Sequence, residues 1–181
     1  VDAALHLGLC TVAEIERVVP GRRRGSSLLR TALAWCDTRS ESAWETLLRM
    51  LHRACDVPVE PQAVLRDAAG AFVARVDLLI VGTRTIQEYD GVDHLERRRY
   101  RRDRRRDSRL SGGRYIRHGW IAPEVLGQGT AILREADRAL GRPHDPSRIR
   151  AWHELIRRSL FSDAGMAAFC ERLGIAVPGA A

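Results

Sequence analysis

From Phe72 to Ile80 apolar and polar positions alternate: Phe72, Ala74, Val76, Leu78 and Ile80 fall on one side, while Arg75 and Asp77 fall on the other with Val73 and Leu79. Period two is the mark of a strand buried on one face, and it turns Asp77 away from the main apolar side. A short polar turn follows, and then a second strand in which Ile86, Glu88 and Asp90 share a face. A turn centred on Gly82-Thr83 pairs Asp77 with Glu88, and one centred on Thr83-Arg84 pairs it with Asp90. Either register gathers the three carboxylates on one side of a hairpin, because cross-strand partners project the same way.

The remaining pattern is mostly helical. Residues 2 to 36 read as short helices, with a capping-box spacing at Thr11-Val12-Ala13-Glu14 and a break at Gly21 to Gly25 before an apolar helix from Ser27 to Trp35. Ser42-Ala43-Trp44-Glu45 opens a longer helix with Trp44, Leu47, Leu48, Leu51 and Ala54 at helical spacing. Val57 to Pro61 ends it, Gln62 to Arg66 predicts a first strand, and Asp67 to Gly70 turns into the hairpin. After a second break at Gly112-Gly113, Arg114 to Ile121 reads as a fourth strand. A helix from Pro123 to Leu140 follows, and then two more, Ser147 to Leu160 and Asp163 to Leu173, which read as a cap on the core or an element of self-association. No internal repeat is present.

Closely spaced carboxylates cannot all stay ionised at neutral pH without a cation beside them. Hard divalent ions take such oxygens together with water and substrate phosphate, and arginines are the alternative. Glu45 has two readings: the third residue of a capping box begun by Ser42, or a further carboxylate on a helix packed beside the hairpin.

Composition sharpens the choice of partner. The 181 residues, 45% hydrophobic, support one substantial domain with an accessory element. The chain has no lysine and no asparagine, so all 30 of its Lys+Arg residues are arginine, and against 23 acids they leave a net charge of +7. That balance points to a polyanion. The arginines concentrate from Arg97 to Arg109, interrupted only by Tyr100, Asp103, Asp107 and Ser108. As a helix this stretch has almost no apolar stripe. Either it is a solvated face in which Arg99 and Arg106 flank Asp103, or it is a row of guanidinium groups that grips phosphate through Arg98, Arg99, Arg102, Arg105 and Arg106. Such a grip does not distinguish DNA from RNA and carries no base-specific signature. No run reaches the length of a membrane span, and the four scattered cysteines read as buried free thiols, so a cytoplasmic protein is expected.

Taken together, the helix carrying Glu45, Arg75-Val76-Asp77, Glu88-Tyr89-Asp90-Gly91, His94 and Arg102-Asp103-Arg104-Arg105-Arg106-Asp107 resemble the PD-(D/E)XK nuclease superfamily. The closer likeness is to very-short-patch-repair-like endonuclease domains, long catalogued as a domain of unknown function, and it covers about Ser40 to Leu140. The resemblance implies an α/β, restriction-endonuclease-like three-layer core (helix, three-stranded meander, helix, strand, helix) over residues 38–141. Residues 1–37 would be a helical connector, the remnant of a longer N-terminal region, and 142–181 a C-terminal helical pair. It further implies a DNA endonuclease of repair, mobile-element or defence biology, dependent on Mg²⁺ or Mn²⁺. Asp77, Glu88 and Asp90 would hold the metal, Glu45 would support it or its water, and His94 would act on a proton or a phosphate. One position departs from the superfamily: Asp90 stands where a lysine is expected. Asp90 then adds a ligand and a second metal, or an arginine takes over the lysine's task, or activity is lost; the glutamate-x-aspartate-glycine form is usual in the closer family. The rival reading is a non-catalytic DNA-binding module that uses the acids only as salt-bridge partners.

Overall fold

The computed structural model describes residues 1–20, 25–67, 69–91 and 115–178. Its centre is a mixed four-stranded sheet in the order β1-β2-β3-β4, with β1 Val59–Arg66, β2 Phe72–Ile80, β3 Thr85–Tyr89 and β4 Ile116–Trp120. β1, β2 and β3 form an antiparallel meander, and β4 runs parallel to β3. The first strand begins at Val59, earlier than the expected Gln62, and takes in Pro61. Proline costs a sheet little here because β1 is an edge strand. The hairpin register is Leu78 opposite Gln87 and Leu79 opposite Ile86, which continues to Asp77 opposite Glu88 and selects the turn centred on Gly82-Thr83. Gly82 takes φ +80° in that turn, which Thr83 N–H closes onto Ile80 O at 3.1 Å; an L side chain would strain there.

Four helices precede the sheet: α1 Asp2–His6, α2 Val12–Val18, α3 Ser26–Trp35 and α4 Ala43–Ala54. The box at Thr11 closes, with Glu14 N–H donating to Thr11 Oγ1 and Thr11 N–H to Glu14 Oε2. After β4 come α5 Ala122–Gly127, α6 Gly129–Ala139, a 3₁₀ turn over Pro146–Arg148, α7 Ile149–Arg157 and α8 Asp163–Leu173. The single helix expected from Pro123 to Leu140 is thus two, divided at Gln128. Gly129 opens the second helix, and a Cβ there would lie 2.9 Å from Ile149 Cδ1 and 3.0 Å from Trp152 Cδ1, so the start of α6 sits tightly against α7.

The main core joins these helices to one face of the sheet. Leu78 and Ile80 of β2 pack with Leu48 and Leu51 of α4, Ile132, Leu133 and Ala136 of α6, and Ile149 and Trp152 of α7. Burying each such side chain contributes about 1.5–3 kcal/mol. A second cluster collects Ala63, Leu65, Ala74, Val76 and Ile86. The architecture is therefore mixed α/β. The helix expected over the arginine row lies outside the described residues.

Both flanking regions are tied to this core. Asp2 of α1 is only 5% exposed and accepts from Arg49 Nη2 of α4 at 2.7 Å, Thr46 Oγ1 at 3.1 Å and Asp37 N–H at 3.2 Å. At the other end, Asp137 of α6 collects Arg142 Nε at 2.8 Å, His144 Nδ1 at 2.9 Å and Arg148 Nη2. Burial pushes the Asp137 carboxyl up, but the bonds from Arg148, Arg142 and His144 outweigh it and hold the group below its ordinary range. Among the cysteines, Cys55 and Cys170 are buried as expected, whereas Cys10 and Cys36 are only partly so. No helix among the described residues is long and apolar enough to cross a membrane.

Candidate active site

The register draws a row of side chains across the sheet. Gln62 falls between the pairs Pro61–Leu78 and Ala63–Val76, hence abreast of Asp77; Asp77 lies abreast of Glu88, and Glu88 is paired with Gly119. Period-two alternation puts Asp77, Glu88, Gly119 and, two residues on, Arg117 and Asp90 on one face. The acids expected to share a face therefore do so.

Asp77 is half-buried, and its Oδ2 accepts the Tyr89 N–H at 2.9 Å, so the β2–β3 ladder continues through a side chain beyond its last backbone pair. Tyr89 is held from the other side of the sheet by Trp44 of α4, whose ring stacks on it at 5.3 Å and 9°. Glu88 is 3% exposed. Burying a carboxylate costs free energy unless a charge is paired with it, and Arg117 supplies that charge: its Nε donates to Glu88 Oε2 while its Nη2 donates to Asp90 Oδ1. Asp90 is fixed through its own backbone, whose N–H donates to Trp120 O at 2.8 Å. Gly119 makes the approach of Asp90 feasible, because a Cβ at 119 would stand 1.8 Å from Asp90 Oδ2. Its glycine is a matter of space; it is not among the glycines with positive φ.

Glu45 makes half of the expected capping box, and no contact joins its carboxylate to Asp77, Glu88 or Asp90 among the described residues. Its N–H donates to Ser42 Oγ at 3.1 Å, as a cap requires. Its carboxylate, however, reaches past the cap residue to accept from Glu41 N–H at 2.9 Å and from Gln62 Nε2 at 2.8 Å. The second bond ties α4 to the residue beside Asp77 in the row. Gln62 has φ +52°, a conformation costing of order 1 kcal/mol in a residue other than glycine, and the Glu45 bond is one of the contacts that hold it there.

His94, Arg98, Arg99, Arg102, Arg105 and Arg106 lie outside the described residues. Sequence reasoning gave Arg117, Gly119 and Gln62 no role in the site. The available signal was period two in the fourth strand: once β4 is laid parallel to β3, Arg117 and Gly119 share the face of Glu88.

Comparison of the chain with protein-family models, curated proteins and solved structures finds no match. Function is thus argued from the site's own chemistry. Its donors are hard carboxylate oxygens on one face, and two carboxylates with water and phosphate are the ordinary protein share of a Mg²⁺ shell, so the donor type suits that ion. Among the described residues, the Arg117 guanidinium stands beside both Glu88 and Asp90. Among the described residues, no group of three or more His, Cys, Asp and Glu side chains is arranged to hold a metal. Asp77, Glu88 and Asp90 are accordingly companions on a face, two of them clamped by an arginine.

Proposed function

We propose that the chain is a metal-dependent endonuclease acting on DNA, with a restriction-endonuclease-like core. The observation that carries the reading is the placement of Asp77, Glu88 and Asp90 on one face where the antiparallel meander meets the parallel strand β4. Further support comes from the element order, a helix, a three-stranded meander and a strand parallel to the third, and from the excess of arginine.

On this reading Asp77 and Glu88 hold Mg²⁺ or Mn²⁺, which supplies a polarised phosphodiester and an activated water. The chain's own residues do the rest. Tyr89 N–H orients the Asp77 carboxylate, Glu45 steadies the row through Gln62, and the arginines between β3 and β4 neutralise the backbone. His94, which lies outside the described residues, would act on a proton or a phosphate.

Arg117 favours a second reading. Because it pairs with both Glu88 and Asp90, the acids would serve only as salt-bridge partners within a non-catalytic DNA-binding module. A panel of single-stranded, duplex, mismatched and branched DNA, incubated with Mg²⁺ or Mn²⁺, separates the two. The nuclease reading expects metal-dependent products that fall by roughly 100-fold or more in Asp77→Ala and Glu88→Ala while DNA binding persists. A folded wild type that binds DNA and cleaves none of the panel leaves the binding module standing.

A further inference from the structure

The described face holds a cation of its own, and its geometry is specific. Arg117 spreads two different nitrogens over two different carboxylates, Nε on Glu88 and Nη2 on Asp90. The acids belong to alternate residues of one strand, so a planar fork spans them where a single ammonium could not. Gly119, on the same strand as Arg117, leaves the space that Asp90 occupies, since any Cβ at 119 would force Asp90 to turn away. The Arg117 side chain is still about one third exposed, at 32%. The fork is therefore built into the sheet but reachable from solvent.

A divalent cation and a guanidinium compete for these carboxylates, because like charges brought to the same pair of acids repel in a partly buried site. Displaced from Glu88, the same fork is matched in shape and charge to two oxygens of a phosphate. We infer that Arg117 is a positioning residue that alternates between the Glu88–Asp90 pair and a backbone phosphate, so that metal entry and nucleic-acid binding drive one another. The inference rests on the reading of these acids as metal ligands. Metal binding releases the fork and phosphate captures it. By thermodynamic reciprocity, each ligand then raises the affinity of the other by the same factor.

The test is a titration of the intact protein with Mn²⁺ alone, followed calorimetrically, for wild type, Arg117→Gln and Arg117→Lys. Removing the competing fork is expected to tighten Mn²⁺ binding about 10-fold in Arg117→Gln. Arg117→Lys keeps a charge beside buried Glu88, which guards against a folding failure, and is expected to fall between the other two. The second measurement is binding to a phosphorothioate-substituted DNA duplex against salt, with and without Mn²⁺. In the wild type Mn²⁺ is expected to steepen the salt slope by about one phosphate contact; in Arg117→Gln that increment disappears, and in Arg117→Lys, which keeps the charge, it is retained in part. A wild type that binds no Mn²⁺ at millimolar concentration overturns this inference together with the nuclease reading. A wild type that binds Mn²⁺ while neither variant binds it more tightly overturns this inference alone. Tighter Mn²⁺ binding by the variants, without DNA cleavage by the wild type, supports the alternation and counts against the nuclease.

Discussion

His52 sits in an environment far from its ordinary solution state. It is fully buried in α4, its Nδ1 lies 2.8 Å from Leu48 O, and its Nε2 has no hydrogen-bond partner among the described residues. A carbonyl can only accept, so Nδ1 carries the proton and the ring is neutral. Burial pushes the imidazole down to about 4 from 6.5. A histidine with a depressed folded pKa binds its proton first in the unfolded chain. Its contribution to stability is therefore complete above pH 6.5 and is lost as pH falls from there to about 4, by about 3 kcal/mol over the window. His52→Phe removes the titration while keeping a ring of similar size. Urea midpoints measured between pH 7 and pH 4.5 are expected to fall more steeply for the wild type than for the variant; parallel curves would count against the neutral buried ring. Cys55, also in this layer, has its thiol pushed up to about 11 by burial, so it is a packing residue and a poor nucleophile.

At the scale of elements, single carboxylates act as rivets. Asp137 fastens α6 to the turn ahead of α7 through Arg142, His144 and Arg148, and Arg148 Nη1 donates onward to Cys55 O at the end of α4, at 2.7 Å. Asp137 is fully buried, so removing it strands a guanidinium that is itself mostly covered. Asp137→Ala is expected to cost about 3–5 kcal/mol, measured by chemical denaturation; a change near zero would mean that α6 and α7 are held by apolar packing alone. Asp2 plays the same part for α1 through Arg49. Glu45 does so for the junction of α4 and β1 through Gln62. Its link ends on a strand residue whose backbone runs abreast of Asp77.

At the scale of the whole molecule, charge bears on the proposed partner. A net charge of +7 carried entirely by arginine favours a polyanion whatever the chemistry at Asp77. If Arg98, Arg99, Arg102, Arg105 and Arg106 each meet a phosphate, the logarithm of duplex affinity is expected to fall with the logarithm of salt at a slope of about −4.5. Replacing all five by glutamine should bring the slope near zero. Fluorescence anisotropy across a salt series measures it, and an affinity indifferent to salt would sink the phosphate grip. The same titration with single-stranded RNA and DNA of equal length distinguishes the sugars, since contacts to phosphate alone give equal slopes and equal affinities.

The sequence by itself determined what is local. Period two from Phe72 to Ile80 marked β2 and its buried side, the Thr11 and Ser42 caps marked two helix starts, and alternation after the turn put Glu88 and Asp90 on one face. Such features depend on neighbours a few residues apart. Only the tertiary structure decided which cation meets the acids, because Arg117 lies 29 positions beyond Glu88 and reaches it through the parallel pairing of β3 with β4. It also chose the Asp77–Glu88 register over the alternative, started β1 at Val59 rather than Gln62, and split the helix after Pro123. The glycine at 119 had no visible purpose until Asp90 was seen to occupy the space of its missing Cβ. The physical reason is common to all of these: turn chemistry and periodicity are written in adjacent residues, whereas charge pairing, close approach and register are settled by strands and helices that the chain brings together from far apart.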